Sequence, residues 1–130
     1  MINLVILVFI GGAIGAMGRE FLMLGVPELS DGFPMAILIA NIVAAFLLGL
    51  VTGLHKRKVV TDDVNTMVGT GIMGGLSTFS SFAYGAVVLM TASASGAVVA
   101  IVYVLISLVL GYGAVLAGLK LGQSGATQPN

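Results

Sequence analysis

The sequence predicts an all-α integral membrane protein with four transmembrane helices, the third of them carrying a stretch that invites a break in mid-membrane. Three observations carry this. Only 8% of the 130 residues are charged, 58% are hydrophobic and the mean hydropathy is +1.17, whereas soluble domains carry roughly 25% charged residues. The apolar residues gather into four runs, each near the ~20 residues that a helix needs to cross a bilayer. The third run lies in a stretch that is uncharged from Val64 to Leu119, yet it contains GGLSTFSSF at Gly74–Phe82. Glycines and hydroxyls stand there in place of Leu, Ile and Val.

The first helix, 2–24, begins without Lys or Arg, and its apolar run exceeds a secretory h-region, so it reads as a retained span. Arg19 and Glu20 lie near its end. GVPELSDGFP then has the prolines, glycines and acids of a loop, and Pro34 suits the first turn of the second helix, 34–54. That helix contains one amide, Asn41. HKRKVVTDD is the strongly polar connection, and Asp62 and Asp63 favour the N-terminus of the third helix, 64–90. TASASG makes the third helix and the fourth, 97–119, an antiparallel hairpin; a small, polar tail occupies 122–130. The whole is one four-helix membrane domain, 1–130.

Composition also excludes function classes. Net charge is zero, so there is no basic face for nucleic acid. There is no cysteine, and the single His55 lacks the companions of a metal site. No nucleophile–base pair is present, so the chain does not read as an enzyme. Lys56, Arg57, Lys58 and Lys120 fall on the N-terminal side of the membrane and Arg19 alone on the other, which favours a cytoplasmic N-terminus.

Small residues recur at packing intervals: Gly11 and Gly15, Gly49 and Gly53, Gly71 and Gly75, and Gly111 with Ala114 and Gly118. Such spacing lets helix backbones approach closely where lipid supplies no hydrophobic drive between them. The polar residues are more informative. An amide in hydrocarbon costs several kcal/mol when unpaired, so Asn41 must meet either another helix or a wet pathway. Phe79 and Phe82, at i and i+3, share one side of a helix. In the fourth helix Tyr103, Ser107, Gly111, Ala114 and Gly118 share a face that is polar at its start and small throughout. Either a close helix contact or a narrow wet track has that face.

Gly74-Gly75 followed by Ser77-Thr78 invites a break, and non-helical backbone at membrane depth survives only inside protein or beside a water-filled cavity. Freed carbonyls are hard oxygen ligands that suit a small cation such as Na⁺. Hydroxyls and the positive edges of aromatic rings suit a small anion. A flexible, well-packed helix with two core phenylalanines remains the plainer alternative at this point.

Over essentially its whole length the chain resembles the Fluc (CrcB) fluoride channels. The carrying motifs are GGAIGAMGRE at Gly11–Glu20, ANIVAAFLLG at Ala40–Gly49 and, most specifically, GGLSTFSSF. The resemblance implies an antiparallel, dual-topology homodimer in the bacterial inner membrane that conducts fluoride passively out of the cell, conferring fluoride resistance through two pores. It implies a fluoride pathway of Asn41, Phe79, Phe82, Ser80, Ser81, Tyr103 and Ser107, with Arg19 near the aqueous entrance. It further implies a structural Na⁺ at the dimer interface, held by the backbone carbonyls of Gly74 and Ser77. The partners so implied are a second copy of the chain, fluoride and the lipid bilayer.

The rival reading is a small multidrug-type four-helix proton/cation antiporter, which needs an intramembrane carboxylate. The only candidate is Glu20, at the end of the first helix beside Arg19, and tryptophan is absent. A non-conducting scaffold subunit is the third class, in which the glycines serve packing alone.

Overall fold

The computed structural model describes residues 2–27 and 32–125, and all the regular secondary structure among these is helical. The elements are α1 (Ile2–Gly25), α2 (Met35–Lys56), α3 (Asp62–Asn65), a π-helical stretch (Thr66–Ile72), α4 (Met73–Leu76), α5 (Phe79–Ala92) and α6 (Gly96–Gln123). α3 to α5 form one interrupted span, Asp62–Ala92, so among the described residues four helical spans are long and apolar enough to cross a membrane. Short connections make successive spans alternate in direction. α1 therefore runs parallel to the third span, and α2 runs parallel to α6.

Those two parallel pairs are held by backbone contact at glycines. A Cβ on Gly15 would collide with the carbonyl of Ile72, and one on Gly75 with the carbonyl of Gly12. In the other pair, Gly49 lies against Val115, and Gly118 against Phe46, with no room for a side chain. In lipid such contact supplies dispersion and close approach that bulkier residues deny. Gly111 differs: nothing lies within 4 Å of where its Cβ would be, so it is not a packing glycine within this chain.

Side-chain packing forms two clusters. Leu38, Leu89, Ala100 and Tyr103 are buried together, with Phe33, Met35 and Phe82 packed on them. Ala44, Met73 and Leu76 form the second, between α2, α4 and the end of the π-helical stretch. The long apolar residues of α1 and α6 that remain exposed, such as Phe9, Phe21 and Val109, are the surface expected of a chain solvated by lipid.

The polar ends are fastened locally. α2 stops in a Schellman arrangement, Lys58 N–H donating to His55 O and Val59 N–H to Leu54 O, with Lys58 in the left-handed region at φ 57°. Arg57 reaches across to the end of α6 and donates to Gly122 O at 3.2 Å and Gly125 O at 2.5 Å. A cation on the last carbonyls of a helix is favourable for the helix dipole. His55 has Nδ1 at 3.1 Å from Val60 O and Nε2 at 3.4 Å from Asp62 Oδ1, so its ring ties the connection together. Thr61 caps α3, its hydroxyl accepting from Val64 N–H at 3.4 Å. Pro34, expected in the first turn of the second helix, sits just before it, and its carbonyl accepts the Leu38 N–H at 3.1 Å.

Candidate functional site

The site grows from the interruption of the third span. Its first half is already loosened by the π-helical stretch Thr66–Ile72, where Gly69 and Gly71 contribute no side chain. α4 lasts one turn. Ser77 N–H still donates to Met73 O at 2.9 Å, but Ser77 itself is extended (φ −84°, ψ 143°), as is Thr78 (φ −147°, ψ 120°). A continuing helix would close Thr78 N–H on Gly74 O. Instead that N–H is donated to Asn41 Oδ1 at 3.2 Å.

This one bond fixes three things. It holds α2 against the break. It leaves the Gly74 carbonyl without its helical donor. It also settles the orientation of the Asn41 amide, because a backbone N–H can be received only by the oxygen. The Nδ2 end then keeps two hydrogens, and these meet no acceptor among the described residues.

α5 restarts at Phe79 with Thr78 as its N-cap. Thr78 Oγ1 accepts from Ser81 N–H at 3.5 Å and pairs with Ser80 Oγ at 2.8 Å. The N–H groups of Phe79 and Ser80 enter the first turn, where a helix offers them no acceptor. Across the break, then, the last carbonyls of α4 present partial negative charge and the first amides of α5 partial positive charge. The first suits a small cation and the second a small anion.

Aromatic rings extend the site along α5 and α6. Phe79 and Phe82 lie 6.1 Å apart at 41°, and Phe82 lies 5.4 Å from Tyr103 at 33°. Phe33 meets Tyr103 edge-on, at 5.5 Å and 89°. The rings form a chain from the break to the start of α2, but their burial differs sharply. Phe79 is 80% exposed in the single chain, whereas Tyr103 is wholly buried. Among the described residues the Tyr103 hydroxyl has no hydrogen-bond partner, a condition that costs about 1–3 kcal/mol in a protein interior. Ser107, one turn on, is half-buried and donates to the Tyr103 carbonyl at 2.7 Å.

Of the residues singled out in the sequence, the structure brings Asn41, Phe79, Phe82, Ser80 and Ser81 to the break, with Tyr103 and Ser107 continuing from it. Gly74 and Ser77 flank the break on its α4 side. Gly74 is exposed and has nothing within 4 Å of its Cβ direction. Arg19 is half-buried in the last part of α1, with no hydrogen bond or ion pair among the described residues. Sequence reasoning gave Thr78 to the break but not its role, which is to organise the break through its backbone and hydroxyl, and it missed Phe33, which it read as part of a loop. An aromatic directly before a helix-starting proline was the available signal. Among the described residues no cluster of His, Cys, Asp and Glu could hold a metal ion.

Comparison with known proteins agrees on one group. The sequence model of the family described as CrcB-like protein, Camphor Resistance (CrcB), matches residues 6–119. The chain is 61% identical to fluoride-specific ion channel FluC 2 of Brucella melitensis over 97% of its own length and 47% of the relative's. It is 58% identical to FluC 3 of Yersinia pseudotuberculosis, over 94% of this chain and 90% of that one. It is 40% identical to FluC of Agrobacterium fabrum, over 95% and 98% respectively. The chain thus spans about half the length of the Brucella relative and nearly all of the other two.

Proposed function

Because the chain belongs to the CrcB family, we propose that it is a fluoride-selective passive channel that lets fluoride leave a bacterial cell across the inner membrane. The observation that carries this reading is the Asn41–Thr78 bond, which holds the amide by its oxygen beside the start of a helix that carries two phenylalanines and leaves the Nδ2 donors for another partner. Fluoride is small and strongly hydrated, so a pathway must replace its water with close-fitting donors. Asn41 Nδ2 and the hydroxyls near α5 supply strong ones, and ring edges supply many weak ones. Chloride is larger, gains less from such donors and fits a narrow track poorly. The multidrug-type antiporter is not favoured, since the family model is that of CrcB and the similar relatives are fluoride-specific channels.

Ion flow through this site requires no titrating group, and conduction follows the electrochemical gradient. Phe79 and Ser80 are exposed in the single chain, which supports a reading in which a second, antiparallel copy completes two pathways along a shared interface. The backbone around Gly74 and Ser77 fits a monovalent cation: its donors are neutral carbonyls, one of them released by the Asn41 bond, on an open surface. Bound there, Na⁺ would supply positive charge between two anion paths. Arg19 would raise the local anion concentration near one aqueous mouth.

The test is efflux from liposomes loaded with fluoride or chloride, started with a potassium ionophore and followed by ion-selective electrodes. Fluoride release without chloride release is expected. Release of both, or of neither, would overturn the reading. Accessibility labelling of the two membrane faces should find both orientations of the chain; a single orientation would sink the antiparallel homodimer.

A further inference from the structure

The Tyr103 hydroxyl is the one buried side-chain oxygen or nitrogen without a partner among the described residues, and what surrounds it comes from an unexpected place. The dipeptide Phe33-Pro34, just before α2, wedges between α5 and α6. Phe33 places its ring edge-on against Tyr103. Pro34 lies against Gly85 of α5, so closely that a Cβ there would stand 2.9 Å from Pro34 Cγ and 3.5 Å from the Tyr103 hydroxyl. The missing side chain of Gly85 is therefore where the proline ring and the hydroxyl converge. Phe33 O also accepts Met35 N–H at 2.8 Å, which binds the dipeptide to the start of α2.

We propose that Phe33 is a positioning residue for the ion pathway, holding the Tyr103 ring so that its hydroxyl faces the notch at Gly85 and stays available to an incoming acceptor. This rests on the fluoride-channel reading. Three elements converge on the notch, α6 through Tyr103, α5 through Gly85 and the start of α2 through Phe33-Pro34. Among the described residues no group stands in hydrogen-bonding geometry with the hydroxyl, which leaves it to a small mobile acceptor, water or the conducted anion. The ring is fixed from both sides: Phe82 at 33° and Phe33 at 89°. Removing the edge-on partner frees the ring to rotate and spreads the hydroxyl over orientations that no longer face the notch.

The experiment uses the full chain, labelled with 3-fluorotyrosine, in detergent and in liposomes. The Tyr103 ¹⁹F resonance is assigned by its loss in Tyr103→Phe and followed while sodium fluoride or sodium chloride is added. In the parent it should respond to fluoride and not to chloride. Phe33→Leu should lower fluoride efflux by roughly two- to tenfold, the population factor of one edge-to-face pair, and should broaden or abolish the Tyr103 response. Phe33→Tyr, which keeps the ring edge, should restore both. Parent-like efflux and resonance in Phe33→Leu would overturn the proposal, as would equal loss in Phe33→Leu and Phe33→Tyr. Should Phe33→Leu not fold, Phe33→Met takes its place with the same expectations. Failure of the channel reading shows separately: the parent itself would then pass no fluoride, while the resonance still reports whether Phe33 orders Tyr103.

Discussion

Asn41 uses the two ends of its amide differently, Oδ1 receiving the Thr78 N–H at 3.2 Å and Nδ2 retaining two hydrogens for another partner. The two roles can be separated. Asn41→Asp, with the carboxylate ionised, keeps an acceptor for Thr78 N–H but loses both donors and repels an anion. Fluoride efflux should fall by at least roughly ten- to hundredfold, the worth of one hydrogen bond to a charged group, while the protein remains helical and assembled. Asn41→Leu removes both roles, so it should lower resistance to denaturant by about 1–3 kcal/mol as well, through the orphaned Thr78 N–H. Efflux assays beside denaturant titrations of both variants check this. Full efflux in Asn41→Asp would show that Nδ2 is not on the pathway. From sequence, Asn41 was identifiable as a residue needing a partner, but not its partner. Thr78 is 37 positions away, and a hydropathy pattern carries no record of which helix faces which.

At the scale of elements, the four spans were legible because their apolar runs match bilayer thickness, and the weak point at Gly74–Thr78 because glycine and hydroxyl residues loosen a helix in apolar surroundings. Which glycines pack was less legible. Gly118 and Gly111 look alike in the sequence, yet Gly118 meets the backbone of α2 and Gly111 meets nothing. The difference lies in the rotation of α6, which sequence spacing does not specify. Two substitutions expose it. Gly118→Leu must push α2 and α6 apart and should destabilise the fold by about 1–3 kcal/mol or more. Gly111→Ala adds a methyl into open space and should change stability by less than about 0.5 kcal/mol. Unfolding in graded sodium dodecyl sulfate, followed by circular dichroism, distinguishes them. Equal losses would mean that α6 is rotated from the position described. The Phe33-Pro34 wedge escaped sequence reading for a related reason: a loop composition signals a turn and says nothing about the side chain that the turn carries inward.

The single chain leaves several groups around the break uncovered: Gly74 open to its surroundings, Phe79 largely exposed and Ser80 exposed. Lipid is a poor neighbour for released carbonyls and hydroxyls, which supports the proposed second copy. Gly74→Asp tests that step at the level of the molecule. Within one chain the added group has no atom within 4 Å of its Cβ, so the fold of the monomer supplies no reason for it to fail. The loss should therefore appear in assembly and conduction. The variant is expected to retain parental helicity and to elute as a monomer in light-scattering chromatography, with fluoride efflux at the background of empty liposomes. Adding sodium salts should raise the dimer fraction of the parent and not of the variant, since the carbonyls of Gly74 and Ser77 are the proposed cation ligands. A dimer with parental efflux would remove Gly74 from both the interface and the cation site. Loss of helicity would instead place its role inside the chain, against the open space around it.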